Sequence, residues 1–323
     1  MIRAKLLTGS FILLCLFYFT GCSQEDSARK VDLNKTEELT YHVIESSEIK
    51  IGLVPEQDIR NMASRYEPLA GYLGKKLNLK VALIYLDNYG EVCDKFRNRQ
   101  LDAAFFGSFA YAVTHAKSKV EPIARPDYSG ISTYRGLIIV RKDSNIKNVT
   151  DMKNKRLALV HRATYAGYLY PLYYFKQHNV PDLEAFFSKV IFSGSHDKAI
   201  IAVLNGQADI ALPKDLVYQR MVKENPDLES KLTVLSFSGP VPSNTFCVRN
   251  DLDSGLMKKL RNILLNLQND REAGPVLASL GATSFIETSD KDYSNLYETI
   301  KALDIDLNVY PYYERSDMGF KNN

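Results

Sequence analysis

Apolar positions along the chain follow two alternating rhythms. Ile49-Lys50-Ile51-Gly52-Leu53-Val54 and Val81-Ala82-Leu83-Ile84-Tyr85-Leu86 are short apolar runs of strand length, and between them Tyr66, Leu69, Ala70, Leu73 and Leu77 recur at spacings of three and four. That spacing gathers one apolar stripe on a helix from about Ala63 to Leu77, which must bury it against the flanking strands. The rhythm continues with a helix from about Gly90 to Arg99, a strand at Ala103-Ala104-Phe105-Phe106, a helix from about Phe109 to Ala116 and a buried strand at Leu137-Ile138-Ile139-Val140. A second series has strands at Arg156 to Val160, Val190 to Ser193, Ala208 to Leu212 and Leu232 to Leu235, with helices starting near Ala166, His196 and Asp215. After Ser238-Gly239-Pro240-Val241-Pro242 the pattern resumes with the strand Thr245-Phe246-Cys247-Val248 and helices from about Ser254 to Gln268 and Glu272 to Leu280.

Strands alternating with helices predict an α/β protein with mostly parallel sheets. Two such series, separated by one extended strand and rejoined by a Pro/Gly crossover, predict two lobes with the second inserted in the first. The expected boundaries are 49–141 plus 239–310 for lobe 1 and 142–238 for lobe 2, with a hinge near Arg141 and Ser238. Open α/β sheets bind ligands at the carboxyl ends of their strands, so two facing lobes predict a closable cleft.

The N-terminus changes the picture. Arg3 and Lys5 precede an apolar or small run from Leu6 to Gly21, the pattern of a signal peptide over 1–21. Phe19-Thr20-Gly21-Cys22 resembles the lipobox of bacterial lipoproteins, with Phe19 where leucine is usual, and this implies lipidation of Cys22 and a membrane anchor. Residues 22–48 are polar and read as a lipidated N-terminus and linker, and 311–323 as a C-terminal tail. Only Cys93 and Cys247 then enter the fold, too few for a disulfide framework, and each is expected to behave as a small buried apolar residue. The formal net charge of +3 has its signs mixed along the chain, which does not indicate nucleic acid.

Polar and aromatic groups cluster where strands hand over to helices. Gly107 allows a tight turn, and Ser108 can cap the helix that follows. In His161-Arg162-Ala163-Thr164-Tyr165-Ala166-Gly167 the free amides and dipole of a helix start favour an anion, with hydroxyls at Thr164 and Tyr165. His196 stands at another helix start and can donate to an oxyanion, and Asp215 lies just past a strand as either a cleft carboxylate or a helix cap. There is no Gly-x-Ser-x-Gly elbow, Walker loop or His-Glu-x-x-His helix, and the five histidines lack metal-ligand spacing, so neither an enzyme, a metal nor a cofactor is expected.

Taken in order, several stretches resemble the phosphate/phosphite/phosphonate-binding family of ABC-transporter periplasmic proteins, in its lipoprotein form. They are Tyr66-Glu67-Pro68-Leu69-Ala70-x-Tyr72-Leu73, Asp102 to Tyr111, Tyr134 to Ser144, Gly167-Tyr168-Leu169, Gly194-Ser195-His196 and Val241-Pro242-Ser243-Asn244-Thr245. The resemblance implies a two-lobed type 2 periplasmic-binding-protein fold. It also implies capture of a small phosphorus oxyanion for an ABC permease, at the cell envelope facing the periplasm or exterior.

It further implies a ligand-binding set of Tyr89, Phe106, Ser108, Tyr134, Thr164, Tyr165, His196 and Asp215. Thr164, Tyr165 and Ala166 fall where the family has a Ser-Thr-Ser run, so Tyr165 brings a bulky ring and Ala166 no hydroxyl. That altered run, with the aromatic tail Tyr310-Pro311-Tyr312-Tyr313, also suits an alternative function, a ligand-sensing lipoprotein coupled to a membrane signalling partner and binding a different small solute.

Overall fold

The computed structural model describes residues 48–57 and 59–312; the signal segment, Cys22, nearly all of the linker and the tail beyond residue 312 lie outside the described residues. Strand β1 (Glu48–Leu53) leads through helix α1 (Ile59–Leu77) to β2 (Lys80–Tyr85), and α2 (Glu91–Arg97), β3 (Ala103–Phe106) and α3 (Ser108–Ser118) follow. β1 runs parallel to both β2 and β3. Strand β3 shows why these runs are apolar throughout. Ala103 and Phe105 pack with Ile49, Ile51 and Leu53 under α1, while Ala104 and Phe106 pack on the opposite face under α2 and α3. A sheet covered on both faces has no polar side to offer. In α1 the predicted stripe Tyr66, Leu69, Ala70 and Leu73 is buried.

After β4 (Glu121–Asp127) the chain leaves this sheet through the short strand β5 (Thr133–Tyr134) and enters the second lobe at β6 (Leu137–Arg141). That lobe contains β7 (Arg156–Leu159), a wide turn at Tyr165–Leu169, α4 (Tyr170–Gln177), α5 (Leu183–Phe186), β8 (Lys189–Phe192), α6 (His196–Leu204), β9 (Ile210–Ala211), α7 (Asp215–Glu224), α8 (Asp227–Lys231) and β10 (Leu232–Phe237). Its strand order is β10-β6-β9-β7-β8.

The chain returns through β11 (Val241–Pro242) to β12 (Thr245–Val248), then α9 (Ser254–Leu265), α10 (Gly274–Leu280), β13 (Ser284–Ile286) and α11 (Ser294–Ala302). The first sheet is thereby completed in the order β13-β4-β12-β3-β1-β2.

Two boundaries differ from the sequence reading. The division after Arg141 put Leu137–Arg141 in lobe 1, whereas β6 pairs antiparallel with β10 and β9 of the second sheet. The run is equally apolar in either place; the crossover decides. Tyr134 pairs with Val241 and Thr133 with Pro242, so the two connecting segments form a ribbon between the lobes. Ser238 cross-ties them, its amide donating to the Gly136 carbonyl at 2.8 Å and its hydroxyl accepting from the Gly136 amide at 2.7 Å. The hinge is therefore the ribbon at Thr133–Gly136 and Ser238–Pro242, upstream of Arg141.

The second difference concerns 239–310, which was assigned wholly to lobe 1. Helix α11 packs on α4 and the wide turn of the second lobe, where Lys176 Nζ donates to the Ala302 carbonyl at 2.8 Å. The chain then straps both lobes. Tyr310 Oη donates to the Arg162 carbonyl in the second lobe at 2.9 Å, and Tyr312 Oη donates to Asp94 Oδ1 in the first at 2.8 Å.

Cys93 and Cys247 are both buried and free.

Candidate functional site

The floor of the cleft is built by loops at strand ends. Beyond β1 the chain turns at Val54-Pro55 and buries Glu56, which is 3% exposed; beyond β9, Leu212-Pro213 delivers Lys214, also 3% exposed. Lys214 Nζ donates to Glu56 Oε1 at 2.9 Å and to Asn244 Oδ1 at 2.7 Å, and Asn244 Nδ2 donates to Glu56 Oε2 at 2.6 Å. The ammonium also stands 4.3 Å from the centroid of the Tyr134 ring. Glu56 and Asn244 belong to the first lobe, Lys214 to the second and Tyr134 to the hinge, so the network joins the lobes through a buried ion pair.

Burial works to raise the Glu56 carboxyl, but the charge and hydrogen bond of Lys214, with His196 and Arg65 adding, outweigh it and hold the group at about 2. Burial pulls Lys214 down and Glu56 opposes it. With its pKa at about 2, the Glu56 carboxyl is ionised at neutral pH.

His196, the first residue of α6, receives the Lys214 amide on Nδ1 at 3.2 Å, which assigns the ring proton to Nε2. Burial, reinforced by Lys214 and Arg220 against Glu56, lowers its pKa to about 3, so the imidazole is neutral. The Tyr89 ring lies 6.3 Å from His196 and 5.6 Å from His161, bringing first-lobe and second-lobe aromatics together. Its hydroxyl is buried with no hydrogen-bond partner, and burial keeps it protonated and therefore a donor.

These shifts predict acid sensitivity. His196 is held below its ordinary 6.5 and Glu56 below its ordinary 4.5, so in each case the unfolded chain takes up a proton at a pH where the folded chain does not. The stability tied to His196 is present above about 6.5 and is lost as pH falls toward 3; that tied to Glu56 is present above about 4.5 and is lost toward 2. Thermal unfolding followed by circular dichroism is expected to show a midpoint that falls steadily from pH 7 to pH 4. His196→Gln is expected to flatten the part of that curve above pH 5; an unchanged slope would contradict the assignment.

Of the residues expected at the site, Tyr89, Tyr134 and His196 come together around the Lys214–Glu56 pair. Ser108 and Tyr165 adjoin Tyr134, Ser108 by hydrogen bonding and Tyr165 with its ring 6.2 Å away. The hydroxyls of Ser108, Thr164 and Tyr165 donate to backbone carbonyls: Ser108 to Pro242 at 2.7 Å, Thr164 to His161 at 2.6 Å and Tyr165 to Gly239 at 3.3 Å. Phe106 packs against Phe96 inside the first lobe. Asp215 is the first residue of α7 and accepts from the Leu216 amide at 2.7 Å; the N-cap is Lys214, so Asp215 does not cap the helix as the sequence alternative expected.

The helix start near Ala166 opens as a π turn, in which the Leu169 amide reaches back five residues to the Thr164 carbonyl. Such widened turns recur at functional sites. Gly136 of the hinge is a glycine for a local reason: a Cβ there would meet Tyr170 Cδ1 at 2.7 Å and Ala166 Cα at 3.1 Å.

A cavity of about 630 Å³ opens between the lobes beside this network, and Glu56, Arg65, Tyr128, Lys214, Arg220 and Asn244 are among its lining residues. A hollow of about 600 Å³ between β8 and α6 is confined to the second lobe and meets none of these groups. Among the described residues, no group of three or more His, Cys, Asp or Glu side chains is placed to hold a metal ion.

Sequence reasoning passed over Glu56, Arg65, Lys214, Arg220 and Asn244. Position at a strand's end was a signal for Glu56 and Lys214, and Asn244 lies in a family-matching stretch. Arg65 and Arg220 sit on helices among other charges and carried none.

Two α/β lobes, joined by a paired-strand hinge and meeting over a buried charged network, define a two-lobed solute-binding protein. Residues 51–293 match the model of a family described as ABC transporter, phosphonate, periplasmic substrate-binding protein. The chain belongs to that family.

Its relatives include a probable ABC transporter phosphite binding protein, PhnD1, of Prochlorococcus marinus, 26% identical over 77% of this chain and 88% of the relative. The phosphonates-binding periplasmic protein of Escherichia coli K12 is also 26% identical, over 75% of this chain and 72% of the relative. The structure of the Prochlorococcus PhnD1 in complex with methylphosphonate superimposes with a TM-score of 0.72, covering 80% of this chain and 99% of that one. A binding protein component of an ABC phosphonate transporter from Pseudomonas aeruginosa shares the fold at 23% identity, with a TM-score of 0.74 over 84% of this chain and 92% of that one.

Proposed function

We propose that this protein is the lipid-tethered binding component of an ABC transporter, capturing a small phosphorus oxyanion (phosphonate, phosphite or phosphate) between its lobes and delivering it to the permease. The observation that carries the ligand class is the pair of neutral donors at the lobe junction. Tyr89 has a buried hydroxyl with no protein partner, and His196, with its ring proton on Nε2, lies beside it. Buried donors are nearly always paired, so a hydroxyl left over at a lobe junction is available to a ligand's oxygen. Lys214 adds positive charge to the same junction. The family membership supports the transport role, and the Phe19-Thr20-Gly21-Cys22 run supports tethering through Cys22.

Titration calorimetry with phosphate, phosphite, methylphosphonate and 2-aminoethylphosphonate tests the ligand class; no heat from any of them at millimolar concentration would sink it. His196→Ala is expected to weaken binding by about ten- to a hundredfold, the loss of one donor to a charged oxygen. In cell fractions, Cys22→Ser is expected to move the protein out of the membrane pellet, and no movement would count against the anchor.

A further inference from the structure

Phosphorus-oxyanion binding leaves part of the cleft's charge unexplained. Arg65 stands on α1 of the first lobe and Arg220 on α7 of the second, and both line the interlobe cavity. Arg65 Nη2 donates to the Leu280 carbonyl at 3.0 Å, but Arg65 Nη1 and the Nε and Nη2 of Arg220 are buried without a hydrogen-bond partner. The carboxylate of Glu56 is already engaged by Lys214 and Asn244. Among the lining residues Lys223 and Glu224 offset each other, which leaves Arg65, Lys214 and Arg220 against Glu56 and the cavity in excess positive charge. Burial first, and then the facing charge of Arg65, push the Arg220 guanidinium below its ordinary value.

Guanidinium donors without partners, on residues that line one cavity from two lobes, match a carboxylate or a similar planar anion, which a guanidinium grips through paired N–H groups. The cavity volume of about 630 Å³ is in the range of small-molecule sites and exceeds the need of a bare oxyanion.

We propose that the solute carries a second anionic group beside its phosphorus oxyanion, a phosphonocarboxylate in chemical class, and that Arg65 and Arg220 hold that group between the lobes. The proposal rests on the phosphorus-oxyanion reading above. It makes the two arginines specificity-determining, because like charges facing each other oppose closure until an anion lies between them. It also excludes an amino substituent at that end, since an ammonium there would meet Arg65, Arg220 and Lys214.

The test is titration calorimetry of the full-length protein with methylphosphonate, phosphonoacetate, 2-aminoethylphosphonate and succinate. Phosphonoacetate is expected to bind about tenfold or more tightly than methylphosphonate, the increment of a charge-assisted hydrogen bond, and 2-aminoethylphosphonate least well. Arg65→Gln and Arg220→Gln are each expected to collapse the phosphonoacetate-to-methylphosphonate ratio toward one.

A ratio near one in the unmutated protein, or tightest binding of 2-aminoethylphosphonate, overturns the proposal while leaving the phosphorus-oxyanion reading in place; that ratio needs no variant to fold. A large ratio that survives both substitutions overturns the role of the arginines. Binding of succinate, weakened by both substitutions, with no phosphorus ligand bound supports the arginine clamp and overturns the phosphorus reading. Silence from all four compounds overturns both.

Discussion

Replacing Lys214 by alanine is expected to lower the unfolding free energy by about 3 to 5 kcal/mol, the range for breaking a buried ion pair on one side only. The side chains of Lys214 and Glu56 are each only 4% exposed, so water cannot take over the lost contact. Glu56 would keep the Asn244 amide but lose its nearest charge, and Asn244 Oδ1 would lose its donor. The cost comes chiefly from what is left behind. The double variant Glu56→Gln with Lys214→Met is therefore expected to recover much of the loss, because it strands no charge. Urea unfolding at pH 7, followed by far-ultraviolet circular dichroism since the chain contains no tryptophan, measures both. A loss below about 1 kcal/mol for Lys214→Ala, the range of surface pairs, would show that the pair is effectively solvated.

Gly167→Ala is expected to cost about 1 to 3 kcal/mol, the usual price of forcing a methyl into a packed site. A Cβ at this position would overlap Val160 Cβ and meet Val160 Cγ2 at 2.5 Å and Thr164 Oγ1 at 2.9 Å. The obstacle is the side chain at the end of β7, anchored close to the backbone and unable to swing away. Gly167 also accepts the Val160 amide at 3.0 Å, so any shift that relieves the clash pulls on that bond and on the π turn. Val160→Ala in the same chain is expected to restore most of the stability by making room. If Gly167→Ala unfolds within about 0.5 kcal/mol of the parent in urea, the turn is softer than the distances imply.

Strands β2, β3 and β12 and helix α1 were legible in the sequence because each is an apolar run or a clean stripe, and β1 because only Lys50 interrupts its apolar positions; in β3 and β12, burial on both faces of the sheet demands that pattern. β4 was not. Its Glu-Pro-Ile-Ala-Arg-Pro-Asp sequence has two prolines, which argue against an internal strand. The fold accommodates Pro122 beside a register shift at Phe246/Cys247 in β12. β6 was recognised as a strand but placed in the wrong lobe, because hydrophobicity says a strand is buried and not which sheet buries it.

The site divides in the same way. Tyr89, Tyr134 and His196 could be read because aromatics and histidine at strand ends or helix starts are chemically conspicuous. Glu56 and Lys214 lie far apart in the chain, and position at a strand's end, the one local signal they carry, does not tell a buried glutamate or lysine from a solvated one. Their meaning appears only when the two lobes bring them within hydrogen-bonding distance. Ser108 was expected to cap α3, but Gly107 holds that position and the Ser108 hydroxyl donates to the Pro242 carbonyl, as the Thr164 hydroxyl donates to that of His161; the sequence could not show that a backbone carbonyl stands close to each.

The strap at the end of the chain bears on how the lobes swing. A hinge of two paired strands alone bends with little resistance. Here, however, Lys117 holds the Tyr310 carbonyl at 3.2 Å and sits over the Tyr312 ring from the first lobe, while the Tyr310 hydroxyl is fastened to Arg162 in the second. Any wide opening must stretch or unfasten this tie, which therefore acts as a return spring on one flank of the jaws. Under the proposed transport role, an arriving solute then supplies less of the work of closure, and release of the cargo works against the same tie.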